Sequence, residues 1–268
     1  CFRYFGLTAK AQDGPRPETT LGISTTPSPD PSAINSNTDI VPPGGQANWR
    51  EWYNALPQVT RDAMTRTSDA KEQRLLRENI TTEVAPLPAG VFYDKKLSLE
   101  QEWKEPNDIA HRNYCGPGAT QVALDVRLAG WLVPSVDTLG AEEHIDPNKG
   151  VYATDIRTVL NARLNTTWYV VNAASDATKL SDWLKSDLTS TYAMVTGLKT
   201  ANMPGWGSRD VDHIVAAYGY YESSDGSMKY ATYAETAAVA AGYNGSFSNT
   251  VGLNSFWNFV VRNNTQVW

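Results

Sequence analysis

One cysteine in this sequence stands where a reactive thiol is expected. Cys115 is followed by a Gly-Pro-Gly run and then by a stretch that is predicted to be helical as far as residue 129. The backbone N–H groups in the first turn of a helix lack partners within the helix, and the helix dipole is positive there. Both effects favour the thiolate, which is the nucleophilic form of cysteine. The segment from Asn113 to Thr120 therefore predicts a catalytic nucleophile at Cys115.

A cysteine nucleophile needs a base, and histidine is the usual one. Among the three histidines, His213 begins an apolar run, HIVAAYGY, that is typical of a buried strand. A strand would hold its imidazole on a rigid element. His111 and His144 lie in polar surroundings and are expected to be surface or loop residues. His213 is thus the predicted base, and a buried structural histidine is the alternative.

A third group usually orients the imidazole by accepting its other N–H. The strand that begins at His213 is followed by a turn and by a second predicted strand, residues 228–235, which ends at Glu235. Two adjacent antiparallel strands would return Glu235 towards His213, so Glu235 is the predicted orienting group; the alternative is a solvent-facing glutamate. Asp225 lies in the turn and is a weaker candidate. Asp212 precedes His213 directly and would point to the opposite face of the strand.

Composition excludes several classes of protein. The 268-residue chain is 41% hydrophobic with a net charge of -6, which argues against nucleic-acid binding because that requires a basic face. It has no apolar run of about 18 residues, so no transmembrane helix is predicted. No metal or other cofactor is predicted, because the cysteine and histidine residues lack metal-ligand spacing. Its two cysteines, Cys1 and Cys115, allow one disulfide at most.

Three regions are predicted along the chain. Residues 1–45 are rich in Pro, Ser and Thr, which predicts an extended arm or linker because such a segment buries little apolar surface. Residues 46–90 are predicted to contain two helices, near 46–56 and 59–80, as a helical extension of the main domain or a prosegment. Residues 91–268 are predicted to form one domain.

Within that domain helices come first and strands later, which predicts the α+β class. The predicted helices are 115–129, 154–164, 178–188 and 253–261, and the predicted strands are 167–171, 192–197, 213–221 and 228–235.

These features together resemble the papain-like cysteine peptidases, and most of all the bacteriocin-processing (double-glycine) peptidases of family thirty-nine and their secreted relatives. The shared features are Cys-Gly-Pro opening a helix, histidine at a strand start, and an acid ending the next strand, in that order. The resemblance spans residues 91–268. It implies a papain-like α+β fold, in which the cysteine-bearing helix packs on an antiparallel sheet. It also implies that Cys115 is the nucleophile, His213 the general base and acid, and Glu235 the orienting group.

The resemblance further implies an amide that donates to the oxyanion, and here the sequence departs from the family. Ile109 stands six residues before Cys115, where the family has a glutamine. Gln101, further upstream, is the predicted donor if the intervening segment is an insertion, and Asn107 and Asn113 are alternatives. The family also usually has Asp or Asn where this chain has a glutamate.

The loop before His213 contains glycines that suit a mobile lip over a cleft. Trp206 and Gly205 of this loop, together with Tyr114 beside the cysteine, are the predicted substrate-binding residues. A tryptophan packed into the domain is the alternative for Trp206. The predicted partner is a peptide or protein substrate.

The sequence therefore predicts an exported cysteine hydrolase that cleaves peptide or related amide bonds through a Cys-His-Glu triad. Secretion or exposure at the cell surface is expected because the chain begins with Cys1, as after removal of a signal peptide. One alternative is a catalytically weak or inactive, peptidase-like structural or surface-assembly protein, a homo-oligomer in which residues 1–45 contact neighbouring subunits. Another is a transglutaminase-like acyl transferase with the same Cys-His-acid chemistry.

Overall fold

A computed structural model of the protein describes residues 90–268. The arm predicted for 1–45 and the helices predicted near 46–56 and 59–80 lie outside the described residues. In chain order, the elements of the described part are β1 (Val91–Lys96), α1 (Cys115–Asp125), α2 (Val136–Glu142), α3 (Ala153–Arg163), β2 (Val171–Asn172), α4 (Ala177–Thr189), β3 (Met194–Lys199), β4 (Asp212–Ser223), β5 (Lys229–Ala234), β6 (Ser248–Gly252), α5 (Leu253–Val260) and β7 (Thr265–Val267), with short 3-10 helices at Gly130–Leu132 and Val239–Ala241.

The sheet is built around β4. One edge of β4 pairs with β3 and, further along, with β1, whereas the opposite edge pairs with β5. The order across the sheet is β2-β7-β3-β4-β5-β6, and every neighbouring pair in it is antiparallel. Every side chain from His213 to Tyr220 is buried. Because successive side chains of a strand point to opposite faces, both faces of this part of β4 are covered.

Helix α1 lies against β4, and all eleven of its residues are buried. Such complete burial is typical of a central helix, although this helix also buries the polar residues Gln121 and Asp125. Pro117 lies in the first turn, where a proline is tolerated because the N–H that it lacks would have no partner inside the helix.

The described part is therefore a mixed α/β structure with an antiparallel sheet, as predicted. The helices predicted at 154–164, 178–188 and 253–261 are found as α3, α4 and α5, within one residue at each end. Their regular spacing of apolar residues explains this agreement, since burial of one face decides where such a helix lies. None of the helices within 90–268 has the length and apolar character needed to cross a membrane.

Other elements differ from the prediction. Helix α1 ends at Asp125 rather than at residue 129. The strand expected at 167–171 is a two-residue strand, β2, that begins at Val171. Four short elements, β1, α2, β6 and β7, were not predicted. Strand β7 has the sequence Thr-Gln-Val, which by itself does not indicate a strand. It forms because it pairs with β2 on one edge and with β3 on the other.

Candidate active site

His213 and Glu235 form a buried pair. His213 Nε2 lies 2.6 Å from Glu235 Oε1, and both side chains are fully buried. A carboxylate oxygen can only accept, so Nε2 carries the proton and donates it. The orienting contact expected of a catalytic histidine is therefore present between these two residues.

The register of β4 and β5 explains how the two residues meet. Ala234, the last residue of β5, pairs with Ala216 of β4. His213 lies three residues nearer the start of β4, beyond the point where β5 ends. Since the strands are antiparallel, the chain that leaves β5 at Glu235 runs alongside His213.

Glu235 has two further hydrogen bonds. The indole Nε1–H of Trp206 donates to Oε2 at 2.9 Å, and the backbone N–H of Ala237 donates to Oε1 at 3.0 Å. Burial disfavours the charged form of this carboxyl, but the attraction of the His213 ring when it is protonated and these hydrogen bonds outweigh burial, so the pKa of Glu235 lies below its usual value. Glu235 is consequently an ionised acceptor at neutral pH.

The second nitrogen of the His213 ring is available for chemistry. Nδ1 is buried and has no hydrogen-bond partner among residues 90–268. With the proton held on Nε2, Nδ1 carries a lone pair that can accept a proton. The pair thus combines a buried hydrogen bond on one ring nitrogen with a second nitrogen that has no partner among residues 90–268.

The first turn of α1 lies next to the end of β5. A Cβ on Gly118 would lie 2.6 Å from Thr236 Oγ1, so only a glycine permits this close approach. Thr236 directly follows Glu235, and Cys115 is the first residue of the same helical turn. Cys115, His213 and Glu235 therefore lie on elements that meet at one place.

Cys115 itself is disulfide-bonded. The only other cysteine in the sequence is Cys1, which lies outside the described residues. A sulfur atom in a disulfide is not a thiolate, so Cys115 must be reduced before it can act as a nucleophile. The sequence motif alone suggested a free thiol, and the structure differs from it in this respect.

Trp206 was predicted to bind substrate, with a tryptophan packed into the domain as the alternative, and the structure shows it packed. Its side chain is only 4% exposed, its N–H is bonded to Glu235, and its ring lies 4.9 Å from the His213 ring, centroid to centroid. Trp206 therefore packs against His213 and donates a hydrogen bond to its partner Glu235.

We expect Trp206→Phe to destabilise the protein by about 2 kcal/mol, because it leaves a buried carboxylate oxygen without its donor. The free energy of unfolding, measured by denaturant titration at neutral pH, checks this value. Trp131→Phe is the matched control, since Trp131 is 83% exposed. Equal stability of the two variants would contradict a structural role for the Trp206 hydrogen bond.

The other two predicted substrate-binding residues lie in different surroundings. Gly205 is exposed and has a φ of 78°, a conformation that favours glycine. A Cβ there would also lie 2.3 Å from the Tyr243 ring. Tyr114 is half-buried and packs edge-on against His111. Their role in substrate binding stays a prediction.

The structure does not bring Gln101 to the cysteine. Gln101 is exposed, and the backbone N–H of the preceding residue, Glu100, donates to Asp125 Oδ2 at 2.8 Å. Asp125 is the last residue of α1, and an eleven-residue helix is about 16 Å long. Gln101 thus lies near the opposite end of α1 from Cys115, where it is poorly placed to donate to an oxyanion.

A different acidic residue lies close to the site and was missed. Glu105 is 3% exposed. Its backbone N–H donates to the Thr236 carbonyl at 2.8 Å, and its Oε1 accepts from Thr236 Oγ1 at 3.3 Å. Burial, and to a lesser degree the negative charge of Glu235, raise the pKa of Glu105 to about 8. The segment Trp-Lys-Glu-Pro contains no pattern that distinguishes this glutamate from an exposed one.

His111 was expected in a loop, and it lies in the segment between Glu105 and Cys115. Its Nδ1 lies 2.7 Å from Asp108 Oδ1 and its Nε2 lies 2.8 Å from Asp137 Oδ1. Burial lowers the pKa of His111, but the hydrogen bonds to the two carboxylates outweigh burial and raise it. Because Asp137 belongs to α2, His111 ties the segment that precedes Cys115 to that helix. Among residues 90–268 there is no group of three or more His, Cys, Asp or Glu side chains that could hold a metal ion.

Comparison with known proteins adds a distant structural similarity. No protein-family model and no curated protein matches the chain. Among solved structures, the chain is similar to the bromelain protease from Ananas comosus in complex with the E64 inhibitor, with a TM-score of 0.39 and 10% sequence identity. The match covers 63% of this chain and 92% of that chain. The similarity is weak, concerns the arrangement of helices and strands, and is not evidence of activity.

Proposed function

We propose that the reduced protein is a cysteine hydrolase that cleaves peptide or related amide bonds. Cys115 is the nucleophile, His213 the general base and acid, and Glu235 the orienting group. The observation that carries the proposal is the buried His213–Glu235 pair, in which Nδ1 of the imidazole has no hydrogen-bond partner among residues 90–268. Thr236, which follows Glu235, lies against Gly118 in the first turn of α1.

The chemistry follows from these positions. His213 Nδ1 takes the proton of the Cys115 thiol, and the thiolate attacks the carbonyl carbon of the substrate. As the S–C bond forms, the carbonyl electron pair moves to oxygen, and the backbone N–H of Cys115, at the start of α1, stabilises that oxyanion. The electron pair then returns from oxygen to carbon, the C–N bond breaks, and His213 gives the proton to the leaving amine. Water, losing a proton to His213, attacks the thioester; the C–S bond breaks, the acid is released and the proton returns to the Cys115 sulfur. Glu235 keeps the ring in the productive tautomer throughout.

The papain-like fold, and the likeness to the secreted relatives of the double-glycine peptidases, are part of this proposal. Support comes from the chain order Cys115, His213, Glu235 and from the helix that carries the cysteine lying against the sheet that carries the histidine. Export is also proposed. The disulfide at Cys115 supports it, because disulfides persist mainly in oxidising compartments.

The disulfide also favours a second candidate function. If Cys115 stays oxidised in the working protein, its sulfur serves as a covalent anchor and the chain is a structural or surface-assembly protein with an unused catalytic pair. The two candidates predict different properties for the reduced protein.

Peptide hydrolysis separates them. We expect the reduced protein to cleave members of a mixed peptide library, with products identified by mass spectrometry, and Cys115→Ala to lower the rate by at least about a thousandfold because no nucleophile remains. Cleavage at an equal rate by Cys115→Ala would mean that the activity is a contaminant. A folded, reduced protein that cleaves nothing would favour the structural function.

A further inference from the structure

Glu105 is a buried carboxyl group with an unused oxygen atom. Oε1 accepts a hydrogen bond from Thr236, but Oε2 is buried and has no hydrogen-bond partner in the described part of the chain. Leaving a buried polar atom unpaired is costly, so such an atom calls for an explanation.

Its location relates it to the active site. The Thr236 hydroxyl donates to the Glu105 carboxyl, and the same side chain closely approaches Gly118 in the first turn of α1. Glu235, the orienting group of the site, is the neighbour of Thr236 in sequence. Glu105 thus lies where the helix end that carries Cys115 meets the strand end that carries Glu235.

The surroundings of Glu105 favour its protonated form. Burial is the largest cause of its raised pKa of about 8, and the negative charge of Glu235 adds to it. His111, the other titratable group of residues 90–268 that acts on it, has the opposite effect but does not outweigh burial. A protonated carboxyl carries an O–H donor, which an ionised one lacks. A buried carboxylic acid that stays neutral can donate to a developing oxyanion.

We propose that Glu105 is the second oxyanion donor of this site, in the role for which the sequence offered Gln101. When Cys115 attacks a carbonyl, the S–C bond forms, the π-electron pair moves to oxygen, and the Glu105 O–H donates a hydrogen bond to that oxygen without giving up its proton. This inference rests on the proposed function, since it concerns the carbonyl chemistry of Cys115.

Two reagents isolate the effect of this donor. Iodoacetamide reacts with the thiolate at a saturated carbon and forms no oxyanion, whereas 4-nitrophenyl acetate is attacked at a carbonyl and does. Both rates are measured on Cys115 in the reduced protein carrying Cys1→Ser. Because each rate is proportional to the fraction of Cys115 present as thiolate, that fraction drops out when the acylation rate is divided by the alkylation rate. Their ratio therefore reports stabilisation of the oxyanion alone.

We expect this ratio at neutral pH to fall by about a hundredfold in Glu105→Ala, the usual effect of losing one oxyanion donor. Glu105→Gln should keep the ratio close to its original value, because the amide N–H also donates. With Glu105 present, the ratio should decline as pH rises through about 8, where the carboxyl loses its proton. In Glu105→Gln that decline should disappear, which a merely structural role would not produce.

Glu143→Gln is the matched control. Glu143 is also fully buried, has an unpartnered Oε2 within residues 90–268 and a pKa raised by burial to about 8, but it bonds to Thr120. Its replacement should leave both the ratio and its pH dependence unchanged.

An unchanged ratio in Glu105→Ala would overturn the inference, and so would an alkaline decline that persists in Glu105→Gln. If Glu105→Ala does not fold, the inference is still tested by comparing the pH dependence of the ratio in Glu105→Gln with that of the protein that retains Glu105. Failure of the proposed function has a different result: alkylation as slow as that of a free thiol and insensitive to His213→Ala. In that case the ratio still shows whether Glu105 contacts the oxyanion.

Discussion

Replacing His213 by alanine is expected to slow the alkylation of reduced Cys115 at about pH 6 by about a hundredfold. An unperturbed thiol has a pKa of about 8.5, so only a few thousandths of it are ionised at that pH. A cysteine paired with an imidazolium at a helix N-terminus is mostly ionised there. Loss of the ring removes one of these two effects and returns most of the thiolate to thiol.

The measurement is the rate of iodoacetamide labelling of Cys115 between about pH 5 and pH 9, followed by mass spectrometry of the reduced protein. The unmodified protein should show a plateau that extends below neutral pH, and His213→Ala should show a single rise near the pKa of a free thiol. Glu235→Gln should give an intermediate rate, because an amide oxygen can still accept from Nε2 but carries no charge.

His144→Ala is the matched control for this experiment. The His144 side chain is 81% exposed, and its loss should leave the labelling profile unchanged. Profiles that coincide for the unmodified protein and His213→Ala would show that the imidazole does not act on Cys115, and the hydrolase proposal would then fail.

Reduction of the disulfide has the second large expected effect. Without a reductant, Cys115 should take up no iodoacetamide, because its sulfur is already bonded to another sulfur. After reduction it should take up one equivalent, and peptide hydrolysis should appear together with the labelling. Intact mass before and after reduction, with peptide mapping of the label, measures both states.

Cys1→Ser provides the complementary test, because Cys1 is the only other cysteine of the chain. This variant should be labelled and active without any reductant, whereas Cys115→Ser should be unlabelled at that position in every condition. Rapid labelling of Cys115 in the unreduced protein would mean that the disulfide is not formed. Labelling without hydrolysis after reduction would favour the structural function.

Much of the candidate site was predictable because it depends on local patterns. The start of α1 at Cys115 follows from small, turn-forming residues before a helical stretch. The burial of His213 follows from a continuous apolar strand. The return of Glu235 to His213 follows from two strands joined by a short turn, since antiparallel pairing fixes which residues meet.

What the sequence by itself determined is therefore the longer helices and strands that carry the site, and the three residues Cys115, His213 and Glu235 that lie near the ends of these elements. Periodicity and turn chemistry act over a few residues, so they can be read locally. His213 and Glu235 are in contact because β4 and β5 pair through a short turn that the local sequence predicts.

Only the tertiary structure decided the surroundings of these residues. In it, the Trp206 indole donates to Glu235, Glu105 is buried against Thr236, and Gln101 lies at the far end of α1 from Cys115. Each of these contacts joins residues that are distant in sequence, and burial of a polar side chain depends on what packs over it rather than on its neighbours along the chain. The same reason applies to Cys115, whose motif predicts a reactive thiol but cannot predict the disulfide that occupies it.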